Sequence, residues 1–166
     1  MTAARRRPTG RLVARRAPPP GVEVAVLSDG SRAGLTQAAT HRVVRTVLRA
    51  EGVRNALMSV TFVSDHAMIR LNARYFRRRA VTDVIAFGMT EVTGRITGDV
   101  YVAPAQAQRS AVGNGITVRE ELIRLIVHGV LHAVGHDHPD GDGRMRSAMW
   151  RRQEVLVGRA LRSAFA

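Results

Sequence analysis

His128-Gly-Val-Leu-His132-Ala-Val-Gly135-His136-Asp137-His138 holds four of the chain's six histidines. Just upstream, Thr117 followed three residues on by Glu120 is a capping-box start for a helix. Leu122, Ile123, Ile126, Val127, Val130, Leu131 and Val134 then recur at helical spacing and form a wide apolar stripe. Gly135 stands where a helix usually stops. The pattern therefore predicts a helix that carries His128 and His132 one turn apart on one face, Cα atoms roughly 6 Å from each other. Past the glycine the chain can turn back and bring His138 to the same point. A single histidine on an apolar helix is usually a core residue, but four so close together, two of them at i and i+4, indicate a metal. Three neutral imidazoles leave a fourth position open, the arrangement of a hydrolytic zinc.

The 166 residues suffice for one domain with a real core. With no cysteine, the fold uses no disulfide and any metal is held by N and O ligands. No apolar run approaches the twenty residues of a membrane span, and no secretory h-region is evident. The net charge is +13, and every basic residue is arginine. An excess this large favours an anionic partner, nucleic acid before membrane. Six of the arginines (Arg5, Arg6, Arg7, Arg11, Arg15, Arg16) lie in residues 1–20, which contain no acid and end in Pro18-Pro-Pro20. That segment reads as a disordered basic arm. The remainder still has twenty arginines against thirteen acids, a net +7.

From residue 21 to 166 the chain reads as one domain. Val22–Leu27 is a first strand and Thr36–Glu51 an amphipathic helix with Val43, Val44, Val47 and Leu48 inward. Leu57–Val63 is a second strand, and Asp65 offers an N-cap for a helix running to Tyr75. Val81–Phe87 reads as a buried third strand, Gly88–Thr97 as a turn region and Gly98–Val102 as a fourth strand. Pro104 opens a helix to Val112. After the histidine helix and a loop at 139–143, Arg144–Phe165 reads as a last helix with Met145, Met149, Leu156 and Leu161 inward. The expected class is α+β: one small mixed four-stranded sheet packed with helices, the His-x-x-x-His helix at the core.

The histidine spacing is close to the zinc-protease signature His-Glu-x-x-His, but Gly129 stands where the catalytic glutamate would be. That argues against such a peptidase. The run His128-Gly-x-Leu-His132-x-x-Gly-x-Asp137-His138 instead resembles the signature of the YbeY family of endoribonucleases. Further segments carry the same resemblance: Leu71-Asn72-Ala-Arg-Tyr75, the strand Val81-Thr82-Asp83-Val84-Ile85-Ala86-Phe87, Gly98-Asp99-Val100 and Met149-Trp-Arg-Arg-Gln-Glu154. It spans roughly residues 22–157. It implies a cytoplasmic, zinc-dependent, single-strand-specific endoribonuclease, with one Zn²⁺ per chain, that matures the 3′ end of 16S rRNA and takes part in ribosome quality control. Its partners would be ribosomal RNA, the small subunit and one small-subunit ribosomal protein.

Carried over by position, the metal ligands are His128, His132 and His138, with His136 a bystander. The chain departs from the family at Phe76, where the family has an arginine after Leu-Asn-x-x-Tyr. Arg77 or Arg74 is expected to supply that guanidinium. Arg78, Arg79 and Arg124 are further candidates for phosphate contact. Asp137 is expected either to orient a ligand imidazole or to cap a turn, and Asp83 and Asp99 either orient a ligand histidine or cap turns. Two other readings stay open from the residues: a metal hydrolase of another substrate, and a ribosome assembly factor whose zinc is structural.

Overall fold

The computed structural model describes residues 21–139 and 141–165, so the expected basic arm lies outside the described residues. In chain order the elements are β1 (Val22–Ser28), α1 (Gln37–Ala50), β2 (Ala56–Phe62), α2 (Asp65–Phe76), β3 (Val84–Thr90), β4 (Ile96–Val102), α3 (Pro104–Asn114), α4 (Val118–Ala133) and α5 (Ala148–Ala164), with a 3₁₀ turn over Gly141–Arg146 before α5. The strands form one sheet in the order β1-β2-β4-β3. β1, β2 and β4 are parallel, and β3 runs antiparallel to β4. This is the mixed four-stranded α+β architecture expected from the sequence.

Alternation decides which sheet face is covered. Ala56, Met58, Val60 and Phe62 of β2 point to one face and are fully buried, as are Val100 and Val102 of β4. α4 lies against that face, packed on β3 and β4, and is enclosed by α1, α3 and α5. Leu122, Ile123, Ile126, Val127, Val130 and Leu131 are all fully buried. The most apolar helix of the chain is therefore the one that carries the histidines.

Four local expectations are corrected. The N-cap of α2 is Ser64, whose extended backbone lets its hydroxyl accept from the Ala67 N–H at 3.3 Å. Asp65 is instead the first helical residue and pairs with Arg109 at 2.6 Å. The third strand begins at Val84 and not at Val81, because the Asp83 carboxylate takes the Val84 N–H at 2.9 Å and ends the preceding loop. It is an edge strand whose first half is half-buried and whose end is exposed, with Ile85 its one buried residue. Half of the expected turn region is sheet: Gly88–Thr90 belongs to β3 and Ile96–Thr97 to β4, and only Glu91–Arg95 forms the hairpin turn, closed by Glu91 N–H to Arg95 C=O at 2.8 Å. The last helix starts at Ala148 behind an Ser147 cap. Met145 falls in the 3₁₀ turn and is 66% exposed, not inward.

The seating of α4 depends on glycine. Gly88 and Gly98 face each other across β3 and β4. A Cβ at Gly88 would stand 2.0 Å from the Ala133 carbonyl oxygen, and one at Gly98 would stand 2.9 Å from Ala133 Cβ. One turn back, a Cβ at Gly129 would lie 2.4 Å from Val100 Cγ1. So Gly129 is a packing residue turned towards the sheet, and no glutamate fits there. In an open helix a Gly→Ala change gains about 1 kcal/mol. Here Gly129→Ala is expected to lose about 1–3 kcal/mol by overpacking, read from urea unfolding. Gly88→Ala is expected to lose more, since the atom it meets is backbone and cannot rotate away.

Candidate metal centre

α4 delivers His128 and His132 to one edge of its buried face. Thr117 caps its start, accepting from the Glu120 N–H at 3.1 Å. Its end is a Schellman-type turn: His136 N–H reaches Leu131 C=O at 3.0 Å and Gly135 N–H reaches His132 C=O at 3.0 Å. Gly135 has φ +100°, a conformation that other residues rarely adopt. The chain then reverses, and Asp137 Oδ1 accepts the His138 N–H at 2.8 Å.

Three imidazoles meet as a result. His132 Nε2 lies 3.1 Å from His128 Nε2 and 3.3 Å from His138 Nε2. The ligand atoms of all three are within 4.8 Å of one another. A tetrahedral zinc with N bonds of 2.0–2.1 Å separates its ligand atoms by about 3.3 Å, so the donor set and its spacing fit a metal ion.

The far ring nitrogens of His128 and His138 fix their tautomers. His128 Nδ1–H donates to Gln153 Oε1 at 2.7 Å, inside the core. Gln153, only 2% exposed, donates in turn to Glu154 Oε1 at 3.2 Å. Glu154 is ion-paired with Arg124. His138 Nδ1–H donates to the Pro139 carbonyl at 3.1 Å. His132 Nδ1 lies 4.0 Å from Asp137 Oδ1. Burial pulls the His128 pKa down to about 4; the nearby His132, Arg144 and His138 add to the shift, and the Gln153 hydrogen bond opposes it. Burial and His138 also lower the His132 pKa. Both rings are thus neutral near pH 7, the form that ligates metal.

His136 turns elsewhere, as expected of a bystander. Its Nε2 donates to Glu51 Oε2 at 2.7 Å, and Arg152 takes the other oxygen at 2.7 Å. Burial pushes the Glu51 pKa up, but these two partners outweigh it and hold the carboxyl below its usual range.

The three histidines open into a cleft of 770 Å³ whose wall includes Phe76, Thr82, Asp83, Arg78 and Arg144. Arg77 is the helix cap of α2, in the left-handed region at φ 57°. Neither it nor Arg74, which lies over the Tyr75 ring, is in the cleft wall. Arg124 is engaged by Glu120, Glu121 and Glu154. Asp83 caps β3, and Asp99 accepts from Ser59 Oγ at 2.5 Å. Asp137 stays beside His132 in the loop. Two residues were not singled out by sequence. Gln153 carried a signal, a polar side chain on the inward stripe of α5 with Met149, Leu156, Val157 and Ala160. Arg144 carried none, because it sits in an aperiodic 3₁₀ turn.

Comparison with known proteins agrees with this geometry. A family model described as Endoribonuclease YbeY matches residues 29–160. The Endoribonuclease YbeY of Pelotomaculum thermopropionicum is 37% identical over 126 residues, 71% of this chain and 82% of that protein. That of Syntrophus aciditrophicus is 32% identical over 120 residues, 69% of this chain and 75% of that one. That of Aquifex aeolicus is 40% identical over 96 residues, 57% of this chain, and the match spans 64% of the Aquifex protein's length. The solution structure of TM1509 from Thermotoga maritima superposes with a TM-score of 0.58 at 26% identity, covering 83% of this chain and 89% of that one. The fold and the three-histidine site thus define an α+β chain with a metal-competent centre, and the chain belongs to the YbeY endoribonuclease family.

Because Gln153 holds the His128 ring, Gln153→Leu is expected to weaken metal binding 10- to 100-fold in a chelator-competition titration. Gln153→Glu, which keeps an acceptor at the same place, is expected to retain most of it.

Proposed function

We propose that this chain is a zinc-dependent endoribonuclease that cuts single-stranded RNA in the cytoplasm. Its substrate would be ribosomal RNA on the small subunit, at the 3′ end of 16S rRNA, with a small-subunit ribosomal protein as partner. One observation carries the reading: three imidazole Nε2 atoms converge on a point that opens into a cleft walled by Arg78 and Arg144. With its ion bound, such a site supplies a Lewis acid and a water acidified to a pKa of about 7.

The chain's own residues do the rest. Arg78 and Arg144, both in the cleft wall, hold the non-bridging oxygens of the scissile phosphate. A guanidinium suits this because its fork pairs two oxygens at once. Arg144 is poised for a ligand, since its Nε is buried with no partner among the described residues. Asp137 orients His132. Arg77, at the cap of α2, holds the turn that aims Arg78 and adds to the positive field over the cleft. Gln153 keeps His128 in the tautomer that leaves Nε2 free.

The principal test is metal analysis of the purified protein together with cleavage of a single-stranded RNA, wild type against His132→Ala. One bound zinc and cleavage that His132→Ala abolishes are expected. Full cleavage by a variant that has lost its metal would sink the proposal.

The competing view, an assembly factor with a structural zinc, meets an obstacle in α4. That helix is anchored along its length by fully buried apolar residues, which hold it without a metal. Chelation is therefore expected to abolish cleavage while leaving the circular dichroism of a folded protein. Arg144→Ala and Arg78→Ala are each expected to lower kcat/KM on RNA by 10- to 100-fold, the loss of a charge-assisted hydrogen bond of about 1.5–3 kcal/mol. Arg77→Ala is expected to cost less than either.

A further inference from the structure

A second cavity of 630 Å³ adjoins the metal cleft, and Asp83, His128 and Arg144 stand in the walls of both. Its other wall residues include the apolar Ile116, Leu125 and Trp150 and the charged Glu121, Arg124 and Glu154. We propose that this cavity is a nucleobase subsite that selects guanine next to the scissile phosphate, with Glu121 as the reading residue and Trp150 as the stacking wall. The proposal rests on the endoribonuclease reading only for the RNA that brings the base there.

Glu121 is the group that the metal centre leaves unexplained. It is 5% exposed, and its Oε2 is buried with no hydrogen-bond partner among the described residues. Arg124 Nε stands 3.7 Å away, beyond hydrogen-bond range, while the Arg124 Nη atoms serve Glu154 and Glu120. Burial pushes the Glu121 pKa up; Arg124 opposes the shift, and Asp83, Glu120 and Glu154 add to it. A buried carboxylate oxygen without a donor costs free energy that a ligand N–H would recover.

Charge and shape narrow the ligand. Three carboxylates, Asp83, Glu121 and Glu154, make the cavity a poor place for phosphate. The metal-competent group among the described residues is the histidine triad and not these acids. What fits is a neutral, planar group with adjacent N–H donors that slides against an indole. Guanine offers N1–H and N2–H on one edge and can engage both oxygens of a carboxylate. Adenine and cytosine offer one exocyclic amine. Uracil offers an N–H flanked by two carbonyls, which the carboxylate repels. Register supplies the reach: Glu121 and His128 are seven residues apart on one stripe of α4, about 10 Å along the axis, a span that one nucleotide bridges from base to phosphate.

Trp150 is the chain's one tryptophan, so its fluorescence reports on this cavity directly. Guanosine 5′-monophosphate and uridine 5′-monophosphate, which share the phosphate, are titrated against the metal-loaded protein. The guanine nucleotide is expected to bind at least 10-fold tighter, about one bidentate contact's worth. Glu121→Leu is expected to bring the two nucleotides within about 2-fold of each other. Ser110→Phe, which fills the cavity from α3 and leaves Glu121 in place, is expected to do the same and decides the matter if Glu121→Leu does not fold. Equal affinity for both nucleotides in the wild type overturns the proposal, as does an undiminished guanine preference in Ser110→Phe. The two readings fail separately. Guanine-selective quenching without RNA cleavage would sink the nuclease reading alone, and cleavage indifferent to the neighbouring base would sink this one alone.

Discussion

The close approach of α4 to the sheet is the constraint on which the rest of the molecule depends. A helix that carries two of three converging histidines has to hold them to a fraction of an ångström, and packing is what holds them. Gly88 and Gly98, paired across β3 and β4, leave a notch into which the Ala133 turn sinks. Gly129 lets the middle of the helix lie on Val100. With those three side chains absent, the helix has one depth and one rotation available, and His128 and His132 are fixed by it. His138 follows from the same placement, because the turn that returns it is closed by hydrogen bonds to Leu131 and His132 of the seated helix.

The same constraint explains why the helix is not that of a zinc protease. In a His-Glu-x-x-His helix the residue after the first ligand faces the substrate. Here it faces the sheet, with Val100 and Val84 in contact range of any added carbon. The ligand spacing is shared, but the rotation of the helix against its sheet is not. Proton-transfer and phosphate-binding groups must then come from other elements. The cleft wall is built by the end of α2, the loop before β3 and the turn before α5, the elements that would supply them.

Much of this was legible in the chain. The four strands, the long helices and the ligand triad announce themselves through period-two and period-3.6 patterns and through the i, i+4, i+10 histidines. What was not legible lies where periodicity stops. Asp65 and Ser64 are both good caps by composition, and only backbone geometry decides between them. Val81-Thr82-Asp83 has the residues of a strand, yet the Asp83 side chain closes on the Val84 N–H and delays the strand. Arg77 adjoins Phe76 in sequence, but a left-handed backbone at Arg77 separates neighbours in direction, so that Arg78 and not Arg77 reaches the cleft wall. Direction changes of that kind are invisible to a reading by position alone.

Phe76 shows how such a site tolerates the loss of a guanidinium. The phenyl ring stacks at 6.2 Å on Phe87 of β3, tilted by only 10°, and Tyr75 packs against the same ring at 4.8 Å. An apolar residue there is stabilised by its aromatic neighbours, so the position contributes to the wall and not to its charge. Arg144 brings positive charge to the same cleft wall from another element, a turn with no repeating pattern. Electrostatic recognition of a phosphate requires a cation within reach and correctly aimed, and is indifferent to the element that carries it. A metal triad has no such freedom, because three short bonds must meet at one point. Two of the three histidines are therefore held in the buried helix α4 and the third in the turn closed on it, while the arginines of the cleft wall sit after a helix end and in a loop turn.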